Sequence, residues 1–576
     1  MIGGSYTSLW WVYPGGHEDI PARGVHGQTI YLDFTACVVP ARLPRSRRRQ
    51  PTPLGHVNAP APRVERSGRR LHDRRTPQAY AARYRLFGGA NGPPGMGRLG
   101  RYLRVALRTG ALVCAGVACA SGAQAQDRTT LWTSDATTVR WHAQFGLNLV
   151  SERNLFWNLS NTTNPQAGFD PDTTWLEGYA TPGVSFTHRT GNLDVYGKLS
   201  AVASFTRGTD AFDATNTGAT TLDDAYLGLR EAGDLPRWDI SLGGRALELG
   251  SGMLISNGGS SGFERGALKF GPRKAWRHAA IARARLGDSE LTAFRLAPNE
   301  LPSNDGHNRL AGLDLRWDSG DGNYAGATFV HVLESRSPYV QAAPDGLGPP
   351  TILPEGRHGT RALNLYLRAT LREGPLRNWF GAADIAIERN RRVDLRAWGG
   401  RAQVGYVFMD KRWTPWVSLT YKTFSGDDPR TRALERFDPL YYDGDPSTWS
   451  SGSKSSMVFI NSNVRSTELA VGISPTQRDT FSLRIARLEA NQLGSPLQFG
   501  QATRVVGSGS AANLISGVVR PHLADDVFVQ YSRVINPVTF LTTGLSASFP
   551  GSGIRRVAPG STPVWLGAFV NVVVNY

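Results

Sequence analysis

Cysteine is almost missing from this chain of 576 residues: Cys37, Cys114 and Cys119 are all of it. Beyond Ala125 there is none, which excludes a disulfide framework, a thiolate-bound zinc or an iron–sulfur cluster from the remaining sequence. Long hydrophobic runs are missing as well. No stretch approaches the roughly 18 apolar residues that a membrane-crossing helix needs. A mean hydropathy of −0.30 still leaves a membrane β-barrel open, because a barrel turns only every second side chain toward lipid. Lysine is absent from the first 125 residues, yet those residues hold 18 arginines and only five acidic residues. They account for most of the formal net charge of +17, since the remainder carries 46 basic against 42 acidic residues. The high overall charge is therefore a local property, and it does not support nucleic-acid binding by the rest of the chain.

From Met96, Arg98, Arg101, Arg104 and Arg108 precede an apolar stretch over residues 111–120 and the small-residue exit Ala123-Gln124-Ala125. A charged start, an apolar middle and a small-residue exit are the three parts of a secretory signal peptide. Residues 1–95, with runs such as Arg47-Arg48-Arg49, have no hydrophobic periodicity and are expected to be a disordered Arg/Pro-rich leader or the product of a start assigned too far upstream. Three segments are expected: 1–95, the signal peptide 96–125, and a barrel over 126–576.

After residue 126 a period of two takes over. Val139, Trp141, Ala143, Phe145, Leu147 and Leu149 share one face against Arg140, His142, Gln144 and Asn148. Leu193, Val195, Leu199, Ala201, Ala203 and Phe205 repeat the pattern against Asp194, Tyr196, Lys198, Ser200 and Ser204, and Leu363, Leu365, Leu367 and Leu371 do so against Asn364, Tyr366 and Arg368. Strands of this length that are apolar on one side and charged on the other suit a barrel wall. A sealed soluble sandwich could not bury so many charges without partners. Segments rich in Gly, Pro, Asp and Asn separate the strands, and the longest, such as residues 334–360 and 425–455, predict long loops on one side. Trp141, Trp238, Trp317, Trp379, Trp416 and Tyr421 sit near the ends of apolar rows, as interfacial girdles require.

The chain ends with Ala568, Val570, Val572, Val574 and Tyr576 on one face, similar to the terminal signal read by the outer-membrane barrel assembly machinery. The 451 residues that follow Ala125, at roughly 25 per strand and connection, predict about 18 antiparallel strands, with 16 possible. The first strand begins soon after the cleavage site, so no N-terminal plug domain is expected. The fold class is thus all-β, a transmembrane antiparallel barrel in the bacterial outer membrane, with membrane lipid as its surroundings.

Ala225-Tyr226-Leu227-Gly228-Leu229-Arg230, followed by Gly244-Arg245-Ala246-Leu247-Glu248-Leu249-Gly250, resembles the alginate export family of outer-membrane proteins. Ser425-Gly426-Asp427-Asp428 with Arg436-Phe437-Asp438-Pro439-Leu440, and Phe549-Pro550-Gly551-Ser552-Gly553, add short matches. Where that family commonly has Gly-Arg-Gln, this chain has Gly244-Arg245-Ala246. The resemblance implies an 18-stranded barrel that passes an anionic polysaccharide or another anionic solute. A porin for small solutes is the alternative reading.

An anion entering a narrow pore loses hydration that fixed cations replace. Candidate pore-lining cations are Arg140, Lys198, Arg230, Arg245, Arg316, Arg368, Arg401, Lys422, Arg484 and Arg533, with Arg245 foremost because it lies in the family-like motif. Asp194, Asp239, Glu248, Asp314, Asp384 and Glu388 occupy similar positions, so cross-strand ion pairs compete with solute binding for these cations. Enzyme signals are poor. Ser451-Gly452-Ser453-Lys454 spells a Ser-x-x-Lys motif without its companion motifs, and His142, His188 and His331 are too scattered for a metal site. No cofactor is expected.

Overall fold

Period-two alternation builds strands because successive side chains leave a pleated backbone on opposite faces. A computed structural model describes residues 129–159, 168–346, 350–442, 458–459, 461–498, 514–515, 517–557 and 560–576. The leader, the signal peptide and the Ser451–Lys454 motif lie outside them.

Two strands are each interrupted once: β1 runs over Thr137–His142 and Gln144–Arg153, and β2 over Thr173–Ala180 and Gly183–Thr190. Sixteen more follow in chain order: β3 (Leu193–Arg207), β4 (Gly218–Glu231), β5 (Trp238–Arg245), β6 (Trp276–Leu286), β7 (Ser289–Ala297), β8 (Arg309–Asp318), β9 (Tyr324–Glu334), β10 (Arg361–Thr370), β11 (Trp379–Asn390), β12 (Leu395–Val407), β13 (Trp416–Phe424), β14 (Val464–Ile473), β15 (Asp479–Ala490), β16 (His522–Asn536), β17 (Thr539–Pro550) and β18 (Trp565–Asn575). Each pairs antiparallel with the next. The sheet closes where Asn575 of β18 meets Gln144 of β1, where Ala143 and Tyr576 exchange backbone hydrogen bonds, and where Tyr576 stacks on Trp141 with centroids 5.9 Å apart. A closed 18-stranded sheet leaves no edge, as a lipid environment demands. A short arm, Thr130–Thr133, pairs with the first half of β1.

One end of the barrel is turned by short connections such as Gly191-Asn192, Gly287-Asp288 and Pro537-Val538, and the other by long ones, residues 154–172, 246–275, 335–360, 425–463 and 491–521 among them. Leu147, Leu199, Leu242, Leu315, Leu365, Ile385, Leu419 and Leu545 face outward and exposed. On the intervening inward positions lie Glu177, Asp194, Asp314, Asp384, Arg401 and Glu468, all buried. Apolar outside and charged inside is the layout of an outer-membrane barrel, whose long loops are extracellular and whose short turns are periplasmic.

The buried apolar residues collect inside the barrel toward the long-loop end. Trp157, from the β1–β2 loop, stacks on Phe459 at 5.6 Å and meets Trp565 edge-on at 5.5 Å. Among the described residues no plug domain occupies the lumen, because every segment outside the arm belongs to a strand or to a connection between consecutive strands. Trp416 departs from the girdle expectation. It shares the inward face with Ser418 and Thr420 and packs under Gly472, because its register places Val417, not Trp416, on the lipid side.

Candidate functional site

Two bulges set up the lumenal architecture. In β4, Leu199 pairs with Ala225 and Ala201 with Leu222, so Asp223 and Asp224 together oppose Ser200. A bulge re-aims side chains locally, and here both carboxylates reach the connection between β5 and β6. Asp224 accepts from the Ala246 amide at 3.3 Å, and Asp223 from the Lys274 and Ala275 amides at 3.1 Å each. The two stems of residues 246–275 are therefore clamped by neighbouring residues of one strand. In β5 the register shifts between Gly243 and Arg245. Gly243 sits at φ 127°, where an added Cβ would stand 2.3 Å from the Ala225 carbonyl oxygen, so only glycine serves there.

From that clamp the loop crosses the barrel. On the far wall Gly250 lies against the Tyr366 ring of β10. Ser251 donates to Asp384 of β11, and Arg401 of β12 donates to the Ser251 carbonyl at 3.0 Å and to its hydroxyl at 2.9 Å. Arg401 also bonds Asp384 at 3.2 Å. The chain then runs beside Tyr441 through a parallel bridge at Ile255 and returns to the near wall. There the Ala267 amide donates to Thr206 of β3 at 3.0 Å, and the Lys269 and Phe270 amides donate to Glu177 of β2 at 3.1 and 2.9 Å. Phe270 packs edge-on to Tyr179 at 4.8 Å. Arg273 holds the return limb to β3 and β4 through Ser204 at 2.8 Å and Thr221 at 2.7 Å. A buried loop must satisfy its backbone groups internally, and this one does so on strands from opposite sides of the circle.

The candidate cations divide clearly. Lys198, Arg230, Arg245, Arg316, Arg368, Arg401, Lys422 and Arg484 occupy inward positions, and Arg140, paired in register with Ser185, lies on the face opposite to that of Trp141 near the short-turn end. Many are paired: Lys198 with Asp224 at 2.7 Å, Arg230 with Asp194 at 3.5 Å, Arg316 with Asp318 at 2.8 Å, Arg401 with Asp384. Arg245 is boxed in: it donates to the Tyr196 hydroxyl at 2.9 Å and to Ser241, stands 3.9 Å from Asp239, and lies over the Tyr226 ring at 4.6 Å. Lys198, Arg230 and Arg316 keep about a third of their side-chain surface open, at 31, 32 and 34%. Arg283 and Arg285 of β6, which flank Glu290 at 3.5 and 3.3 Å, extend the same wall, although alternating alanines in β6 gave no apolar row to reveal them.

Arg533 is a correction. It shares the outward face of β16 with Val529 and Tyr531, is half exposed, and pairs with Asp479 at 3.2 Å near the short turns. It does not line the lumen, because the alternation that turns Phe528 and Gln530 inward turns Arg533 outward.

Above the loop, the long connections lock to one another. Arg357 binds Asp438 through two hydrogen bonds of 2.6 Å, both residues buried, and Asp438 donates its amide to Glu388 at 2.8 Å. Asp427 accepts from the amides of Ala342 and Glu435, and burial pushes its carboxyl up to about 6. Among the described residues no cluster of His, Cys, Asp and Glu could hold a metal ion.

No family model matches the sequence, and no curated protein matches it. Among solved structures the chain is similar to the outer membrane protein OpdK of Pseudomonas aeruginosa, at 11% identity over 76% of this chain and 98% of that one, with a TM-score of 0.44. OccK5 (OpdH) of the same organism gives 9% identity over 76% of this chain and 98% of that one, also at 0.44.

Proposed function

We propose that this barrel is a passive outer-membrane channel for small anionic solutes, carboxylates foremost. The observation that carries the reading is the crossing loop 246–275: tied to Glu177 and Thr206 on one wall and to Asp384 and Arg401 on the other, it narrows the bore beside a wall that presents Lys198, Arg230, Arg283, Arg285 and Arg316. Arginine suits a carboxylate through its fork of donors. Lys198, Arg230 and Arg316 keep about a third of their side-chain surface open, so each can meet a passing anion while still held by its carboxylate. Nothing in this arrangement calls for a chemical step, and the chain acts as a conduit rather than as an enzyme.

Reversal potentials of single channels in a KCl gradient test the proposal. Anion preference is expected, reduced in Arg230→Gln and Arg316→Gln by on the order of 1 kcal/mol each, the strength of one unit charge at about 4 Å in water. Cation preference in the wild type overturns it. The short motifs around Gly244-Arg245 favour a second reading, passage of an anionic polysaccharide of the alginate type. Block by uronate oligomers without block by free glucuronate would select that reading over the first.

A further inference from the structure

The outer wall carries a row of directly opposed arginines, flanked by a histidine, that the barrel itself neutralises only in part. On β9 to β12 the register places His331 directly opposite Arg361, Arg361 opposite Arg389, and Arg389 opposite Arg396. One step along the same row, across Ala311, stands Arg295 of β7. His331, Arg361, Arg389 and Arg396 lie two positions from the outward residues Phe329, Leu363, Ile387 and Trp398 and share their face, so the row points away from the lumen. Directly opposed side chains lie about 5 Å apart at Cβ, and like charges in that position destabilise a sheet. On a lipid-facing surface a bare arginine is costly at the midplane and less so toward the interface. Internal compensation is thin. Arg396 pairs with Asp394 at 3.0 Å, and Arg389 donates to the backbone carbonyls of Glu388 and Ala397, whereas among the described residues no carboxylate lies in ion-pair range of Arg295 or Arg361.

Beside this row the wall is hollow. An apolar groove of about 480 Å³ has Ala280, Ala282, Ala293 and Ala311 along its floor and Leu242 and Phe329 at its sides, and Arg295 and His331 line it too. We infer that the row and groove together seat a phosphorylated, multiply acylated lipid of the lipid A type, phosphates on the cations and an acyl chain in the alanine-floored groove. Three arguments select this occupant. The charge is complementary to phosphate. The cations lie toward the end of the barrel that carries the long, extracellular connections, the side of the membrane whose leaflet carries that lipid. The row from β9 to β12 spans roughly 14 Å at about 4.8 Å per strand, wide enough for two phosphates rather than one.

The test is to fold the chain into phosphatidylcholine vesicles containing lipid A, extract it in mild detergent, and measure retained lipid by native mass spectrometry. Wild type is expected to retain lipid A, and the triple variant Arg361→Gln, Arg389→Gln, Arg396→Gln to lose retention at least tenfold, while the matching triple lysine variant keeps it. In vesicles without lipid A the glutamine variant should unfold at the same temperature as wild type or higher, because the repulsion is gone; with lipid A present the order should reverse. Folding is checked by the heat-shifted band on gels, and if the triple variant fails to fold, Arg295→Gln alone should lower retention severalfold. Equal retention by wild type and the glutamine variants overturns the inference, as does equal retention of phosphatidylglycerol and lipid A by wild type.

Discussion

Arg401 shows how one side chain can anchor a loop across the lumen. Its guanidinium is almost fully buried, binds Asp384, and grips both the carbonyl and the hydroxyl of Ser251. Removing one member of a buried pair leaves the other charge uncompensated, at about 3–5 kcal/mol. In Arg401→Gln that penalty is relieved most cheaply by releasing Ser251 and admitting water, so the expected result is a noisier open state in single-channel records with the barrel still folded; a quiet trace of unchanged amplitude would refute the anchor role. Asp427 makes a pH-dependent contribution in the long loops. Its carboxyl sits at about 6 in the folded protein, above its usual value of 3.8, because burial disfavours the charge more than the Ala342 and Glu435 amides favour it. Between those values the folded state holds the proton and the unfolded state does not, so this residue's contribution falls as pH rises from about 4 to 6 and is flat above. The thermal midpoint of wild type relative to Asp427→Asn should decline across that window, and a difference independent of pH would show that the carboxyl is not buried as described.

Among the elements, the β5–β6 connection matters most. Its stems are already joined by the pairing of Arg245 with Trp276 and by the bulged Asp223-Asp224, so replacing residues 248–272 with a short glycine–serine turn leaves the barrel wall intact. Larger conductance and weaker discrimination between small and large anions are expected. Unchanged conductance would show that the loop does not narrow the path. The bulge itself is half legible. Adjacent aspartates inside a strand-like segment break the alternation, a recognisable mark of an inserted residue. That both carboxylates hold the stems of a lumenal loop is not legible, since it depends on where β5 and β6 lie beside β4.

At the scale of the whole barrel, stability follows the two-faced wall. Leu365 is central on β10 and half exposed on the outer surface, at 53%. Leu365→Arg should cost about 2–4 kcal/mol, read as a lower urea midpoint for unfolding from phospholipid vesicles, if Leu365 meets the bilayer near its midplane. A neutral outcome would place the apolar band elsewhere. Closure has the same logic: the aromatic end of the chain is stacked on Trp141, and the seam between β18 and β1 is where an 18-stranded sheet disposes of its edges.

Much of this was determined by the sequence alone. Alternation is a local property of the chain, so the inward and outward faces of β1, β3, β10 and β18, the strand number near 18, and the outward placement of Tyr576 could be read directly. Strands without a leucine-rich face, β6 with its alanines above all, were hidden, because an apolar row is the signal. What only the tertiary structure decided was which inward charges meet. Arg245 heads the most family-like motif, yet closure of the sheet brings Tyr196, Tyr226 and Asp239 around it, while Arg283 and Arg285, which no motif marks, line the open wall. The loop from β5 to β6 finds its partners on β2 and on β12, which face each other across the lumen only because the barrel closes, and no local pattern in residues 246–275 encodes contacts that the circle alone creates.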